Sequence, residues 1–382
     1  MADKDEVIQS LIAAAKSAEA PEELESLQVD ETLLMNAQVA FGDWETALAA
    51  GLMEAVRGRS KPTRPKQSEV ERRVGDAFEH PIYVGTHDGK FFSFHGPDLP
   101  VDDDPQDLDE EELTGGIQAL HYVGDSDAVF LFSSNGRYFG VDRRMIPTWD
   151  RRDQPRSIRD ILFLEGGESI RAMIPRRQMA TGRIIHITAG GKGKATDAAD
   201  FGMELDRSGQ EAFLVKEGDV PVAVMGGPTD NTVFCASAMG QGIHFEADDL
   251  RSMGRKAVGV NVMKLNGDDD RIVDAFLGRH VRQLAVVTEQ GYAKRVDFSE
   301  FRTQGRAGQG MQLARLNSGD KIAGAVPCNP AEDLALITNT GRVWRIAATE
   351  LLLMGRPAKG NQVVDLPDGV RITGVEALPC GG

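Results

Sequence analysis

Two glycines recurring in phase along most of the chain constrain its fold more than any other feature. The first of each pair closes a short turn: Gly89 in HDGKFF, Gly136 in SNGRYF, Gly191 in AGGKGK, Gly240 in AMGQGI, Gly291 in EQGYAK and Gly341 in NTGRVW, at spacings of 47, 55, 49, 51 and 50 residues. The second follows 27, 31, 27, 27, 28 and 28 residues later, at Gly116, Gly167, Gly218, Gly267, Gly319 and Gly369. After it comes an apolar run, as in SIRAMI, VPVAVM, RIVDAF, KIAGAV and VRITGV. A unit of this length with about four short strands is one propeller blade. A lone four-stranded sheet cannot bury both faces, so neighbouring units must supply the core, and six of them suit a ring. The expected fold is therefore all-β: a six-bladed β-propeller over residues 80–380. Asn135-Gly136 is read as a two-residue hairpin turn. Alternation in Ala293-Lys294-Arg295-Val296 and Val343-Trp344-Arg345-Ile346 is read as apolar groups inward and bases outward.

The segment ahead of the repeats has a different texture. Residues 1–57 carry helical periodicity, with Ile8, Leu11, Ile12 and Ala15 on one face, then a stripe through Leu33, Leu34, Ala37, Phe41, Trp44, Leu48, Leu52 and Val56. That stripe packs on neighbouring structure or docks a partner. Residues 58–79 open with GRSKPTRPKQ, the composition of a basic, Pro-containing linker. Formal charge is -16, but residues 1–120 hold 10 Lys/Arg against 26 Asp/Glu, leaving 33 of each in 121–382. The body is neutral, so net charge does not exclude a polyanionic partner for it. Cys235, Cys328 and Cys380 form no CxxC pair, and neither a zinc site nor a disulfide framework is expected. MADKDEVIQS is unlike a signal peptide, and no apolar run approaches the ~20 residues of a membrane span. A cytoplasmic chain without a membrane partner is expected.

Charged chemistry concentrates in loops that keep the repeat's register. GRKAVG (Gly254 to Gly259), GRAGQG (Gly305 to Gly310) and GRPAKG (Gly355 to Gly360) lie 51 and 50 residues apart. A glycine-bounded loop lets backbone N–H groups approach an anion, and the arginine adds a fork suited to phosphate oxygens. Any one of them also reads as a structural turn with an exposed arginine; three in phase favour a row of cationic contacts. The second unit lacks such a loop but has Arg143, Arg144, Arg151, Arg152, Arg156 and Arg159 in that region. AGGKGKAT lacks the spacing of a phosphate-binding GxxxxGK[ST] loop. His80, His87 and His95 have no partners that would make a metal site. No nucleophile–base pair or carboxylate pair stands out, so no catalytic role, metal or cofactor is expected.

TEQGYAKRVDFSEFRTQGRAGQGMQL, and AVFLFSSNGRYFGVDRRMIPTW followed by RSIRDILFLEGGESIRAMIP, resemble blades of the C-terminal β-pinwheel of type IIA topoisomerase A subunits, the DNA-wrapping domain of gyrase and topoisomerase IV. The resemblance covers about residues 80–378. It implies a pinwheel whose outer surface binds and bends duplex DNA through backbone contacts, in or beside a topoisomerase complex. The residues it points to are Lys294, Arg295, Arg302, Gln304, Arg306, Arg342, Arg345, Arg356 and Lys359, joined by Arg255, Lys256, Arg151, Arg152 and Arg156 from the other loops. Three departures stand out. The family's basic glycine-rich box belongs to the first blade, whereas its nearest text here, Gln304-Gly305-Arg306-Ala307-Gly308-Gln309-Gly310, is in the fifth. The corresponding place in the first repeat is VDDDPQDLDEEEL, which repels phosphate. No counterpart of the DNA-cleaving portion is expected in residues 1–79. The alternative is a protein-interaction propeller that has lost DNA binding and recruits a partner through residues 1–57.

Overall fold

The computed structural model describes residues 81–94, 116–124, 126–148 and 156–378. The expected helices in 1–57, the linker 58–79, the acidic run 102–112, His80, His95, Cys380, Arg151 and Arg152 lie outside them. Chain order gives β1 (Ile82–Thr86), β2 (Phe91–Phe94) and β3 (Ile117–His121), then β4 (Ala128–Ser133), β5 (Arg137–Asp142) and β6 (Ile170–Pro175). Next come β7 (Arg183–Thr188), β8 (Lys192–Asp197), β9 (Gln210–Glu211) and β10 (Pro221–Gly227), then β11 (Thr232–Ser237), β12 (Gln241–Glu246), β13 (Val260–Asn261) and β14 (Ile272–Leu277). The last two groups are β15 (Gln283–Thr288), β16 (Tyr292–Asp297), β17 (Met311–Gln312) and β18 (Ile322–Cys328), and β19 (Asp333–Thr338), β20 (Val343–Ala347), β21 (Asn361–Gln362) and β22 (Ile372–Leu378). Helix among the described residues amounts to four residues, Arg176–Met179, and short 3-10 turns.

These strands form six antiparallel sheets, one per repeat, and the whole is the six-bladed propeller the repeat implied. In each blade the last long strand is innermost, the first is central and the second is outer, as in the order β6-β4-β5. The inner pairing of every blade carries a register shift at the same place, for example between Phe132 and Ser133 and between Val287 and Thr288. Each such bulge bends the inner strand where it meets its neighbours at the hub. The turn glycines take φ between 76° and 82°. The hairpins differ from the two-residue form expected: Gly136 N–H donates to Ser133 O at 3.0 Å and the loop has three residues, a turn closed by a left-handed glycine. A Ser or Thr sits three residues before every turn glycine, and in five of the six its hydroxyl accepts the N–H of the residue after the glycine, as Ser133 does from Arg137 and Thr288 from Tyr292, both at 3.2 Å; Ser237 Oγ does not.

A fourth, two-residue strand completes four of the blades, and it comes from the following repeat. Thus β9 pairs with β5, β13 with β8, β17 with β12 and β21 with β16. Successive blades are therefore sewn together by main-chain hydrogen bonds at the rim as well as by packing. Apolar clusters fill every seam: Val129 and Leu131 face the first blade while Phe130 and Phe132 face the third. Because both faces of a blade are buried, strands such as AVFLFS are buried throughout and apolar up to the closing Ser133. The outward placement expected for Lys294 is corrected for the same reason: it lies inside a seam, 1% exposed.

The ring closes. Ile272, Ile322 and Ile372, each at the start of an inner strand, donate N–H to the preceding blade's turn at Ala189, Ala238 and Glu289 (2.8–3.0 Å). Ile117 of the first blade does so to Gly341 of the sixth at 2.9 Å, and Ile82, Val84, Phe92 and Phe94 share a core with Ala335, Ile337 and Val343.

Candidate nucleic-acid interface

Each Gly-Arg loop follows a 3-10 turn and ends on a glycine immediately ahead of an exchanged strand. Gly259, Gly310 and Gly360 have φ of 95°, 77° and 91°, and a Cβ on any of them would run into Gly193 O, Gly242 O or Ala293 O of the preceding blade. The closing glycine is thus required by the seam itself. The opening Gly254 and Gly305 face open space and have ordinary φ.

The arginines repeat one contact. Arg255 Nη1 donates to Glu211 O (3.2 Å), Arg306 Nη1 to Asn261 O (3.0 Å) and Arg356 Nη1 to Gln312 O (3.0 Å). The acceptor is in each case the second residue of an exchanged strand, so each guanidinium staples a strand exchanged by the repeat before its own. Arg306 Nε also donates to Asp249 O at 2.9 Å. Arg255 lies over the Tyr138 ring and Arg356 over Phe301, both at 5.8 Å. All three arginines are half-buried, their position fixed by carbonyls and rings. A guanidinium pre-oriented in this way loses little side-chain freedom on meeting a phosphate.

Beneath two of the loops lies a buried ammonium that sequence reasoning missed as a structural device. Lys194 Nζ donates to Ala212 O, Gly254 O and Arg255 O at 3.1, 2.9 and 2.8 Å. Lys294 Nζ repeats this with Leu313 O, Gly355 O and Arg356 O at 3.0, 3.1 and 2.5 Å. Burial pushes both ammonium groups down to about 8, with Arg255 and Arg356 beside them acting in the same direction, yet each remains charged at neutral pH. All three protons of Lys294 are used inside the protein, which removes it from the phosphate-binding set. The signal was available: lysines a hundred residues apart at the same place in alternate blades. Gly191 in AGGKGKAT is a hairpin turn, consistent with its failure to fit a nucleotide loop.

The fourth blade has Ile243 where its neighbours have these lysines, and its loop compensates. Ala307 takes φ 62° and donates its N–H to Val262 O at 2.7 Å, the carbonyl equivalent to Ala212 O and Leu313 O. Its counterparts Lys256 and Pro357 do not adopt that conformation.

The remaining candidates divide by environment. Arg345 pairs with Asp333 at 2.6 Å, with side chains 6% and 9% exposed, so it too is taken out of the interface. Arg295 is committed to Leu351 O and Gln283 Oε1 at 2.9 and 3.1 Å. Gln304 is half-buried, with its backbone N–H on His244 O. Arg342 is half-buried at the sixth hairpin. Arg302 and Arg156 are exposed, Lys359 lies 4.0 Å over the Tyr292 ring, and Lys256 is exposed beside Glu211 at 2.9 Å. Acids interleave with these bases: Glu300 Oε2 accepts Arg356 N–H at 2.9 Å, and Asp248 pairs with Arg183 at 2.7 Å.

The hub encloses about 630 Å³ lined by all six inner strands. It holds an acidic pair that the sequence did not bring together. Asp274 is pushed up to about 7 by burial, against hydrogen bonds from Ala325 and Ala275 N–H; Glu376 is pushed up to about 8 by burial and then by Asp274. Both remain partly open to the channel. Among the described residues no group of three or more His, Cys, Asp or Glu could hold a metal ion, and no helix is long and apolar enough to cross a membrane. Cys235 and Cys328 are buried free thiols.

Residues 231–278, 282–329 and 332–379 each match the family described as the DNA gyrase C-terminal domain, beta-propeller. The gyrase A protein of Klebsiella oxytoca is 32% identical over 212 residues, which is 55% of this chain and 24% of that protein. Its Mycolicibacterium smegmatis counterpart is 31% identical over 189 residues, 48% and 22% of the two chains. The matched part of the chain thus spans under a quarter of the length of these curated relatives. Among solved structures, the C-terminal domain of DNA topoisomerase IV superposes with a TM-score of 0.63 at 21% identity, covering 78% of this chain and 93% of that one. The DNA gyrase A C-terminal domain superposes with a TM-score of 0.65 at 19% identity, covering 78% and 99%. These two likenesses show the fold.

Proposed function

We propose that this propeller, whose last three blades are repeats of the DNA gyrase C-terminal domain family, is a non-catalytic module that binds duplex DNA through its phosphates and works beside a topoisomerase or another DNA-handling complex. The observation that carries the reading is the in-phase row of Arg255, Arg306 and Arg356, each anchored through one nitrogen to an exchanged strand. Arg302, Lys359, Lys256, Arg342 and Arg156 extend it, with Arg151 and Arg152 proposed from sequence alone; Arg295 and Gln304 stand behind it as supports. Neutralising phosphates releases condensed counterions, so affinity falls steeply with salt and depends little on base sequence. Bending a 20–30 bp segment along the rim by 40–90° costs on the order of 1–6 kcal/mol, which several charge-assisted contacts can offset. The acidic run at 102–112 opposes binding and tunes it to a low affinity. A partner protein docks through residues 1–57, in the cytoplasm and at the nucleoid.

The rival reading, a protein-interaction propeller, draws on the interleaved acids, Glu211 beside Lys256 and Asp333 beside Arg345. Fluorescence anisotropy with a random 30-bp duplex over a salt series separates the two. Arg302→Ala and Lys359→Ala, which leave the loop anchors intact, should each reduce the slope of log affinity against log salt by about 1. Replacing the eight acids of 102–112 by amides should tighten binding at every salt concentration. No binding at low salt, by either the native chain or the amide variant, would leave the protein-interaction reading in possession.

A further inference from the structure

The second blade carries an insertion the others lack: 31 residues separate Gly136 from Gly167, where the other five pairs are 27 or 28 apart. The extra residues follow a 3-10 turn, Ile158–Asp160, whose Ser157 and Asp160 cap each other. On the insertion stands Phe163, 68% exposed and the most exposed large apolar side chain among the described residues. Its neighbour Leu162 is buried at 2%.

Phe163 is displayed rigidly. Its N–H donates to Arg207 O at 3.0 Å, and its own carbonyl accepts Arg137 Nη2 at 2.9 Å. Arg137 also donates to Ser208 O at 3.0 Å and pairs with the carboxylate of Glu168, which is wholly buried. This scaffold ties the insertion to the loop of the third blade that ends on Gly209, directly ahead of β9. That loop occupies the slot that the Gly-Arg loops fill in the next three blades. In place of Gly-Arg it carries an exposed Glu204 and Leu205, 51% exposed, followed by Asp206, which accepts Ser208 N–H at 2.8 Å at the surface, and an exposed Arg207.

We infer that Phe163, supported by Leu205, is an apolar wedge that enters a base step of the duplex held along the arginine row. The inference rests on the DNA-binding reading above and adds a bending element to it. Three observations select DNA as the occupant. Phe163 is hydrogen-bonded to the loop that fills, one repeat ahead of the guanidinium loops, the same rim slot. Arg207, exposed and bonded through its carbonyl to Phe163 N–H, stands beside it to hold the flanking phosphate, and Asp206 of the same loop is committed to Ser208. A phenylalanine fixed by its own backbone resists being pushed aside, as a side chain that unstacks bases must. Partial insertion opens the step and kinks the duplex towards the row, bringing further phosphates within reach of Arg255 and Arg306.

The test uses the full chain and a 30-bp duplex carrying 2-aminopurine at alternate steps and a fluorophore pair at its ends. The native protein should raise 2-aminopurine emission and shorten the end-to-end distance. Phe163→Ala should abolish both and weaken binding roughly tenfold or more, with its salt slope unchanged, because the phosphate contacts remain. Phe163→Trp should restore the emission change. Since the side chain is exposed, thermal unfolding should not move, which separates the effect from misfolding. The wedge is refuted if Phe163→Ala raises the emission and shortens the duplex as the native chain does, an outcome that would mark Phe163 as a protein-docking residue. If the native chain binds no duplex at all, the underlying reading fails first and the wedge with it.

Discussion

Lys294 shows how a single position changes meaning between sequence and structure. In YAKRVD it stands next to Arg295 in an exposed-looking basic pair, but its ammonium is the hub of three carbonyls from two connections, Leu313 on one side and Gly355 and Arg356 on the other. A cation replaces there what would otherwise be three poorly satisfied acceptors. Lys294→Met fills a similar volume and removes the donors, so it should lower stability by roughly 3 kcal/mol, read as a reduced urea midpoint at unchanged slope. Because the loop carrying Arg356 loses its support, DNA affinity should fall as well. If Lys294 were a phosphate contact, the variant would instead lower affinity and salt slope while leaving the midpoint in place. Ala307 supplies the internal comparison. Where Ile243 takes the place of the lysine, the loop recovers one bond by placing a non-glycine residue at positive φ, a conformation that costs about 1 kcal/mol.

At the scale of elements, the Gly-Arg-x3-Gly loop is a seam clasp before it is an anion site, and its two glycines are not equivalent. Gly310→Ala would set a Cβ 2.5 Å from Gly242 O at φ 77°, so it should cost at least about 2 kcal/mol. Gly254→Ala meets nothing within 4 Å and should be neutral or slightly stabilising. Thermal unfolding of the two variants side by side checks this; equal effects would mean that the loops hold no seam. The repeat, its six units and their phase were legible because each unit must satisfy the same turn geometry, and Gly136 or Gly291 cannot vary without breaking it. Strand exchange was not legible: a two-residue strand such as Gln210-Glu211 has no periodicity, and its partner lies some seventy residues earlier, at Arg137 and Tyr138. The inward turn of Lys294 and Arg345 escaped for a different reason. Alternation identifies two faces but cannot tell that both are buried when blades stack on each side.

At the scale of the whole molecule, ring closure creates an environment no single repeat contains. The position just beyond the bulge on each inner strand is Ala119, Ala172, Ala223, Gly324 or Gly374 in five blades and Asp274 in the remaining one, the fourth. The channel waist is therefore ringed by small residues with one carboxyl projecting among them, and Glu376 lies two blades away with only Gly324 at that level between. Both acids have folded-state pKa values raised above their unfolded ones, so the native state binds more protons than the unfolded chain. Their contribution is full below about pH 4 and is lost as pH rises through about 7 and 8. Lys194 and Lys294 stay charged, folded or unfolded, up to about pH 7, and carboxylates held low by arginines, such as Asp142, contribute fully above about pH 5. Over pH 5 to 7 two buried histidines act in the opposite direction: burial lowers His121 to about 4 and His186 well below its ordinary value, so the unfolded chain takes up the proton there and their contribution to stability grows as pH rises towards about 6.5. The channel pair is therefore read as a difference: from pH 5 to 7 the native chain should lose stability relative to a chain without the two carboxyls, by on the order of 2 kcal/mol once channel water is allowed for. The double variant Asp274→Asn with Glu376→Gln keeps the histidine contribution alone, so its melting temperature should rise over that range more steeply than the native chain's. Native and double-variant melting temperatures that change in parallel from pH 5 to 7 would show that water in the hub hydrates both carboxylates.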